Sequence, residues 1–176
     1  ASGARRGPVQ LRPETGFQMS ADDIASKLTP RSRAILLNSP HNPTGAVLSQ
    51  QRVQDIVDLA LKHDLWILSD EVYDEMLFDG ARFTSPLSFP KVADRVVVVS
   101  SISKSHAAPG FRSGWSIGSA EFTKRLLPLA ETMLFGNQPF IADMTAVALS
   151  QPSRVAADMR QRFEGRAGRM LSLIHI

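Results

Sequence analysis

The chain has 176 residues, of which 43% are hydrophobic and 21% charged. This composition is typical of a globular domain and excludes a disordered tail or a collagen-like repeat. Twenty Lys and Arg residues against 17 Asp and Glu residues leave a net charge of +3, which indicates no nucleic-acid surface. The lack of Cys excludes thiolate catalysis and a disulfide scaffold, and it fits a cytoplasmic location. The sequence contains no apolar run of about 18 residues and therefore predicts no membrane-spanning helix.

Helical and strand patterns alternate along the chain after a Gly- and Pro-rich connector over residues 1–20. In chain order, the sequence predicts a helix over 20–28, a strand over 33–38, a helix that begins at Ser49, strands over 65–68, 95–100 and 114–118, and helices over 121–135, 139–149 and 152–170. Short buried strands that alternate with amphipathic helices favour an α/β fold with a mainly parallel sheet.

Polar residues follow each of the three main predicted strands, over 38–45, 69–73 and 100–104. Ligands of open α/β sheets bind at the carboxyl ends of the strands. These three clusters are therefore the candidate functional residues.

Each cluster has an ordinary structural explanation when it is taken alone. A lysine such as Lys104, at a strand end, is most often a surface residue whose amine reaches water. If the strand end desolvates that amine, it becomes suited to Schiff-base chemistry. Asp70 alone indicates a helix cap and Tyr73 an amphipathic aromatic, while Asn-Pro-Thr-Gly over 42–45 indicates a turn.

Together, the three clusters resemble the motifs of the class I/II aminotransferases, pyridoxal-phosphate (PLP) enzymes of fold type I. The motifs are Asn-Ser-Pro-His-Asn-Pro-Thr-Gly over 38–45, Ser-Asp-Glu-Val-Tyr over 69–73 and Ser-Ile-Ser-Lys over 101–104, followed by Arg112. The resemblance runs from about residue 8 to residue 170. It implies a three-layer α/β fold with a mainly parallel sheet flanked by helices.

The resemblance also implies the roles of individual residues around the PLP ring. Lys104 matches the lysine that forms a Schiff base with PLP and moves a proton during catalysis. Asp70 matches the aspartate that pairs with the pyridinium nitrogen. Tyr73 and Asn42 match the two hydrogen-bond donors to the ring oxygen O3′. Lys104, Asp70 and Tyr73 are thus the expected catalytic residues.

Three further residues match the phosphate end of PLP. Ser101 and Arg112 match phosphate ligands, and Ser103 lies close enough in sequence to reach the same group. Two neighbours of these motifs are expected to have no role in the site. His106 is expected to face solvent, and Glu71 is expected to be a surface or interface charge.

The implied activity is transfer of an amino group from an L-amino acid to a 2-oxo acid, in a cytoplasmic homodimer. The sequence near Lys104 resembles bacterial members that use aromatic amino acids, methionine or arginine with pyruvate or 2-oxoglutarate. Two alternatives stay open on the same scaffold. One is a PLP-dependent C–S lyase, and the other is the PLP-binding effector domain of a transcription regulator.

The resemblance implies that residues 1–170 form the central part of the large, PLP-binding domain. A preceding segment with a ring-stacking aromatic and a following small domain with the arginine that binds the substrate carboxylate are expected outside these residues. The last six residues, Leu-Ser-Leu-Ile-His-Ile, resemble a translated sequencing adapter, so residues 171–176 are expected to be non-native. The chain alone is expected to be inactive and to expose unpaired sheet edges.

Overall fold

The structure, a computed structural model, describes residues 3–134 and 136–174. Within these residues the strands are β1 (Ala34–Asn38), β2 (Trp66–Asp70), β3 (Val96–Ser101) and β4 (Gly114–Ile117). The helices are α1 (Ala21–Ala25), α2 (Gln50–Lys62), α3 (Ile102–Ser105), α4 (Ala120–Leu134), α5 (Pro139–Leu149) and α6 (Arg154–Ile174).

The four strands form one sheet in the order β1-β2-β3-β4. β1, β2 and β3 run parallel, and β4 pairs antiparallel with β3. The register sets Asn38 opposite Asp70, and Asp70 opposite Val99. The prediction of an α/β fold with a mainly parallel sheet flanked by helices is confirmed.

One face of the sheet is buried under α2. Along β1 and β2, exposed and buried side chains alternate, as the period of two residues in a strand requires. The buried residues of α2 are spaced by three and one residues, so they form one helical face. The core includes Ile35, Leu37 and Ile67 from the sheet and Val53, Ile56, Val57 and Ala60 from α2.

Polar side chains define where the first two helices begin. The hydroxyl of Ser49 accepts a hydrogen bond from the backbone N–H of Arg52 at 3.3 Å, which caps α2. Ser20 caps α1 in the same way and forms a reciprocal capping box with Asp23. Both helix starts lie where the sequence predicts them.

Some element boundaries differ from the prediction. α1 ends at Ala25 rather than near Leu28, and α6 begins at Arg154 rather than at residue 152. α6 continues to Ile174 and so includes residues 171–174 of the predicted tail. Phe135, the predicted end of the helix over 121–135, and residues 175–176 lie outside the described residues. In the part of the chain that the structure describes, no helix has the length and apolar content needed to cross a membrane.

Candidate active site

The carboxyl ends of β1, β2 and β3 bring three polar side chains to one edge of the sheet. Asn38 and Asp70 are register partners, and Asp70 lies opposite Val99. Ser101 is two residues beyond Val99 and therefore points to the same face of the sheet as Val99. This face is the one opposite α2, and we call it the site face.

Asp70 is the last residue of β2 and is half-buried. Its carboxylate accepts a hydrogen bond from the backbone N–H of Val72 at 3.3 Å, which orients the side chain at the strand end. The carboxylate therefore stands at the edge where the resemblance requires an acceptor for a protonated ring nitrogen.

Lys104 and Tyr73 lie close together although 31 positions separate them in sequence. Lys104 is in the short helix α3, which the buried side chain of Ile102 anchors. The Lys104 Nζ atom is 5.9 Å from the centre of the Tyr73 ring, a distance at which an ammonium group is attracted to a ring face. Lys104 is exposed, so the described residues do not supply the desolvation that the strand-end position suggests.

The three predicted phosphate ligands lie between the last residue of β3 and the start of β4. The Ser101 hydroxyl accepts a hydrogen bond from the backbone N–H of Ser103 at 3.2 Å. Gly114 of β4 is the register partner of Ser101, and a Cβ atom at Gly114 would lie 2.9 Å from the Ser100 carbonyl oxygen. The glycine therefore permits the close approach of the two strands that brings Arg112, two residues earlier, to the Ser101 end of the site.

Arg112 has a left-handed backbone, with φ of 51°. Its guanidinium donates a hydrogen bond to the carbonyl oxygen of Pro109 at 2.8 Å, and the side chain is exposed. Among the described residues, no ion pair joins Arg112 to a carboxylate. Its remaining N–H donors are therefore available to an anion.

A pocket of about 650 Å³ lies between α6 and the loops that follow β1 and β2. Asn42 and Tyr73 line it together with Met76, Phe78 and, from α6, Phe163. The other predicted site residues of the described chain do not line this pocket. A larger cavity of about 1140 Å³ lies along β1; Asn38 and His41 of the first cluster line it, but none of the residues that match PLP ligands does.

His106 is not solvent-facing, so that expectation is wrong. The His106 Nδ1 atom is 2.9 Å from the Ser105 hydroxyl, and its Nε2 atom is 3.2 Å from the Ala148 carbonyl oxygen. The Ser153 hydroxyl also donates to the Ser105 carbonyl oxygen at 2.6 Å. These bonds tie the helix that carries Lys104 to the end of α5 and the start of α6.

Glu71 is not a surface charge either, because only 5% of it is exposed. Its Oε1 atom accepts a hydrogen bond from the Ser85 hydroxyl at 2.7 Å. Burial raises the pKa of the Glu71 carboxyl, although hydrogen bonds from Ser85 and Ser69 oppose the rise. The sequence could have predicted this burial. Side chains two residues apart in a strand lie on the same face, so Glu71 shares the core face with Ile67 and Ser69.

A comparison with known families identifies the family of the chain. The family model for aminotransferase class I and II matches residues 1–174. The chain belongs to the class I and II aminotransferase family. It is 46% identical over 166 residues to arginine–pyruvate transaminase of Pseudomonas aeruginosa, a match that covers 94% of this chain and 42% of that protein.

Solved structures share the fold. Pyrococcus protein-A1 superimposes with a TM-score of 0.89 at 30% identity, over 93% of this chain and 43% of that one. N-succinyldiaminopimelate aminotransferase from Mycobacterium tuberculosis superimposes with a TM-score of 0.82 at 34% identity, over 89% of this chain and 41% of that one. The chain thus spans less than half the length of these relatives.

The side chains at the sheet edge fit the PLP ring that this aminotransferase family implies. Lys104 offers an amine for the aldehyde carbon, and Asp70 offers a carboxylate for the ring nitrogen. Tyr73 and Asn42 offer a phenol and an amide for the ring oxygen. These four side chains complement three different atoms of one small cofactor.

The donors at the other end of the site fit a phosphate. Ser101 and Ser103 offer hydroxyl groups, and Arg112 offers a guanidinium, whose planar donors match phosphate oxygens. Ser101 and Gly114 are register partners, so the strand pairing itself holds this donor set together. The donor chemistry of the described residues therefore matches both ends of PLP.

Proposed function

We propose that the protein containing this chain is a PLP-dependent aminotransferase that moves an amino group from an L-amino acid to a 2-oxo acid. The proximity of Lys104 and Tyr73, with Nζ 5.9 Å from the ring centre, carries the proposal. This short distance supports a site at the carboxyl ends of β2 and β3 in which the Lys104 amine and the Tyr73 phenol contact the same ligand. Asp70 at the end of β2 adds the carboxylate that this ligand requires.

PLP, when bound, supplies a ring that accepts electrons from the substrate Cα atom. Lys104 would hold the cofactor through its Nζ atom, and its freed amine would then move a proton from the substrate Cα atom to the aldehyde carbon of the cofactor. Positioned proton transfer of this kind contributes about 10²–10⁴-fold to a rate. Asp70 would keep a proton on the ring nitrogen, since its carboxylate favours the cationic form.

The remaining side chains would bind and orient the cofactor. Tyr73 and Asn42 would donate hydrogen bonds to the ring oxygen. Ser101, Ser103 and Arg112 would bind the phosphate, with charge-assisted hydrogen bonds from the guanidinium. Fixing both ends of a flat cofactor limits its rotation, and that orientation favours reaction at the amine of Lys104.

L-Arginine with pyruvate is the proposed first substrate pair, because arginine–pyruvate transaminase is 46% identical to this chain. Aromatic amino acids and methionine, with pyruvate or 2-oxoglutarate, are the other pairs to examine. We also propose a cytoplasmic homodimer, which is the assembly that the family resemblance implies. A sedimentation measurement on the full-length protein tests the dimer.

The test uses the full-length protein that contains this chain, loaded with PLP. L-Amino acids are added one at a time without any 2-oxo acid, and the visible absorbance of bound PLP is followed. Loss of that absorbance with release of the matching 2-oxo acid is the expected result. The variant Lys104→Ala should show neither the absorbance change nor release of a 2-oxo acid. Lys124→Ala, which removes an exposed lysine of α4, should show both.

Two outcomes would contradict the proposal. Release of ammonia and pyruvate would indicate a C–S lyase. Absorbance that persists with every amino acid would indicate an effector domain that binds PLP without turnover.

A further inference from the structure

Glu71 is buried next to the proposed active site without belonging to the set of cofactor donors. Among the described residues it is the one acidic or basic side chain that is buried, with 5% of it exposed. It directly follows Asp70, yet its side chain lies on the core face of the sheet, opposite the site face. A buried carboxyl group is costly unless hydrogen bonds compensate it.

The main chain of Glu71 is fixed to the end of the sheet. Its N–H donates to the Val99 carbonyl oxygen at 3.0 Å, and its own carbonyl oxygen accepts from the Asp74 N–H at 3.0 Å. Residues 72–84, which we call the Tyr73 segment, begin at this point. The hydrogen bond to β3 therefore fixes the position at which the Tyr73 segment begins.

The side chain of Glu71 contacts the far end of the same segment. Its Oε1 atom accepts from the Ser85 hydroxyl at 2.7 Å. The Ser85 oxygen in turn accepts from the Leu87 N–H at 3.2 Å, at the start of the turn Pro86–Ser88. The Glu71–Ser85 bond thus joins the two ends of the Tyr73 segment.

Tyr73 is the residue of this segment that reaches the site, beside the Nζ atom of Lys104. Loss of the Glu71–Ser85 bond would leave the buried Glu71 carboxyl with the Ser69 hydroxyl as its remaining side-chain partner, and an unmet hydrogen bond at a buried group costs more than one at an exposed group. The segment would relieve that cost by opening at its Ser85 end. Tyr73 would then move away from Lys104.

We propose that Glu71 is a positioning residue of the site: its bond to Ser85 closes the Tyr73 segment and so holds the Tyr73 phenol beside Lys104. The inference rests on the proposed function. Asp70 and Asp74 are the charged groups near enough to act on the Glu71 carboxyl, and both disfavour a negative charge there. The proposal therefore assigns the role to the hydrogen bond and not to a charge on Glu71.

The experiment compares variants of the full-length protein by PLP affinity and by the pH at which the visible absorbance of bound PLP changes. Glu71→Ala and Ser85→Ala should each weaken PLP binding about tenfold, the effect of one lost hydrogen bond, and should shift the pH midpoint. The double variant should be no weaker than either single variant, because both remove the same bond.

Two further variants separate the bond from charge and from general damage. Glu71→Gln keeps an acceptor oxygen, so its PLP affinity should stay within about twofold of wild type. Ser88→Ala removes the neighbouring hydroxyl bond to the Ser85 carbonyl oxygen without contact to Glu71. It should leave both PLP measurements unchanged.

Several results would overturn the inference. Glu71→Ala and Ser85→Ala with unchanged PLP affinity and pH midpoint would do so, even if their melting temperatures fell. If Glu71→Gln weakened PLP binding as much as Glu71→Ala does, the effect would be due to the charge of Glu71 and not to its hydrogen bond. Wild-type protein that binds no PLP would overturn the proposed function as well, whereas normal wild-type turnover with unaffected variants would overturn this inference alone.

Discussion

Asp70 and Glu71 are adjacent carboxylates whose surroundings differ because a strand turns successive side chains to opposite faces. Asp70 is half-buried on the site face, where a cationic ring nitrogen would compensate its charge. Glu71 is buried on the core face, where two serine hydroxyls contact it and burial raises its pKa. The alternation of side chains along the strand therefore places the Asp70 carboxylate where a cofactor would bind and the Glu71 carboxyl in the core.

Replacing Asp70 by Asn should slow the reaction without removing the cofactor. The amide cannot compensate a protonated ring nitrogen, and loss of one partner of a buried ion pair costs about 3–5 kcal/mol. If that cost falls on the transition state, the single-turnover rate falls roughly 10²–10³-fold. The measurement is the rate of absorbance loss when the amino acid is added to PLP-loaded, full-length protein.

The matched control is Asp94→Asn, the same change at an exposed position near the opposite end of β3. It should leave the rate unchanged. An Asp70→Asn variant that keeps a rate within about threefold of wild type would contradict the assignment of Asp70 to the ring nitrogen.

Replacing Glu71 by Gln should stabilise the protein, and more so as pH rises. The folded-state pKa of Glu71 lies above its ordinary value of 4.5, so folding favours the protonated form. Below the unfolded pKa the carboxyl is protonated in both states and no penalty arises. As pH rises through the folded pKa, the burial penalty develops in full, and Glu71→Gln avoids it.

Melting temperatures of wild type and Glu71→Gln, measured from pH 4 to pH 8, check this sign. The difference should be smallest at the acid end. Glu131→Gln, at an exposed position of α4, should show no such trend. A difference that grows as pH falls would show that folding favours the charged form of Glu71 instead.

At the scale of elements, strands were the most predictable part of the molecule. β3 begins within one residue of its predicted start because four consecutive valines favour a strand buried on both faces. β1 and β2 also begin within one residue of the prediction. Helix ends were less predictable: α1 ends at Ala25 because nothing in the local sequence marks its last turn as strongly as Ser20 marks its first.

The proximity of the candidate residues could be predicted from the sequence, whereas the contacts that hold them in place could not. Residues such as Lys104 and Tyr73 follow strands, and parallel strand ends meet at one edge, so topology brings them together. The contacts of His106 with Ala148, and of Glu71 with Ser85, depend on tertiary packing between distant segments. The sequence pattern of a strand predicts which face each side chain lies on. It does not predict which distant residue will form a hydrogen bond with a buried polar group.

The cap of α2 should contribute measurably to stability. Ser49→Ala removes the acceptor for the Arg52 N–H, and an N-cap serine is worth about 1 kcal/mol. Chemical denaturation of the full-length protein should show that loss, whereas Ser49→Asp should retain the stability. Gln50→Ala, at the exposed first position of α2, is the control and should cost little. Equal losses for the alanine and aspartate variants at Ser49 would argue against the cap.

At the scale of the whole molecule, the described residues leave much apolar surface uncovered. Leu36 on β1 is 65% exposed, and Ile117 on β4 is 47% exposed. β1 and β4 form the two edges of the sheet that the described residues build. Relatives have more than twice the length of this chain, since the match covers 42% of one of them. Exposed edges and apolar faces of this kind promote association with other chains.

The 176-residue chain, expressed alone, should therefore self-associate and show no transaminase turnover with PLP. Light scattering at micromolar concentration should detect particles larger than a monomer. Leu36→Lys should reduce association, because a lysine on an edge strand opposes pairing with a second edge.

Gln51→Lys adds the same charge on the exposed surface of α2 and separates the effect of position from that of net charge. It should reduce association less than Leu36→Lys. Equal effects would assign the change to general repulsion, because a charge on α2 does not touch the sheet edge. A monodisperse monomer of the unmodified chain would show that the uncovered edges and apolar face are tolerated in water, and the prediction would then be wrong.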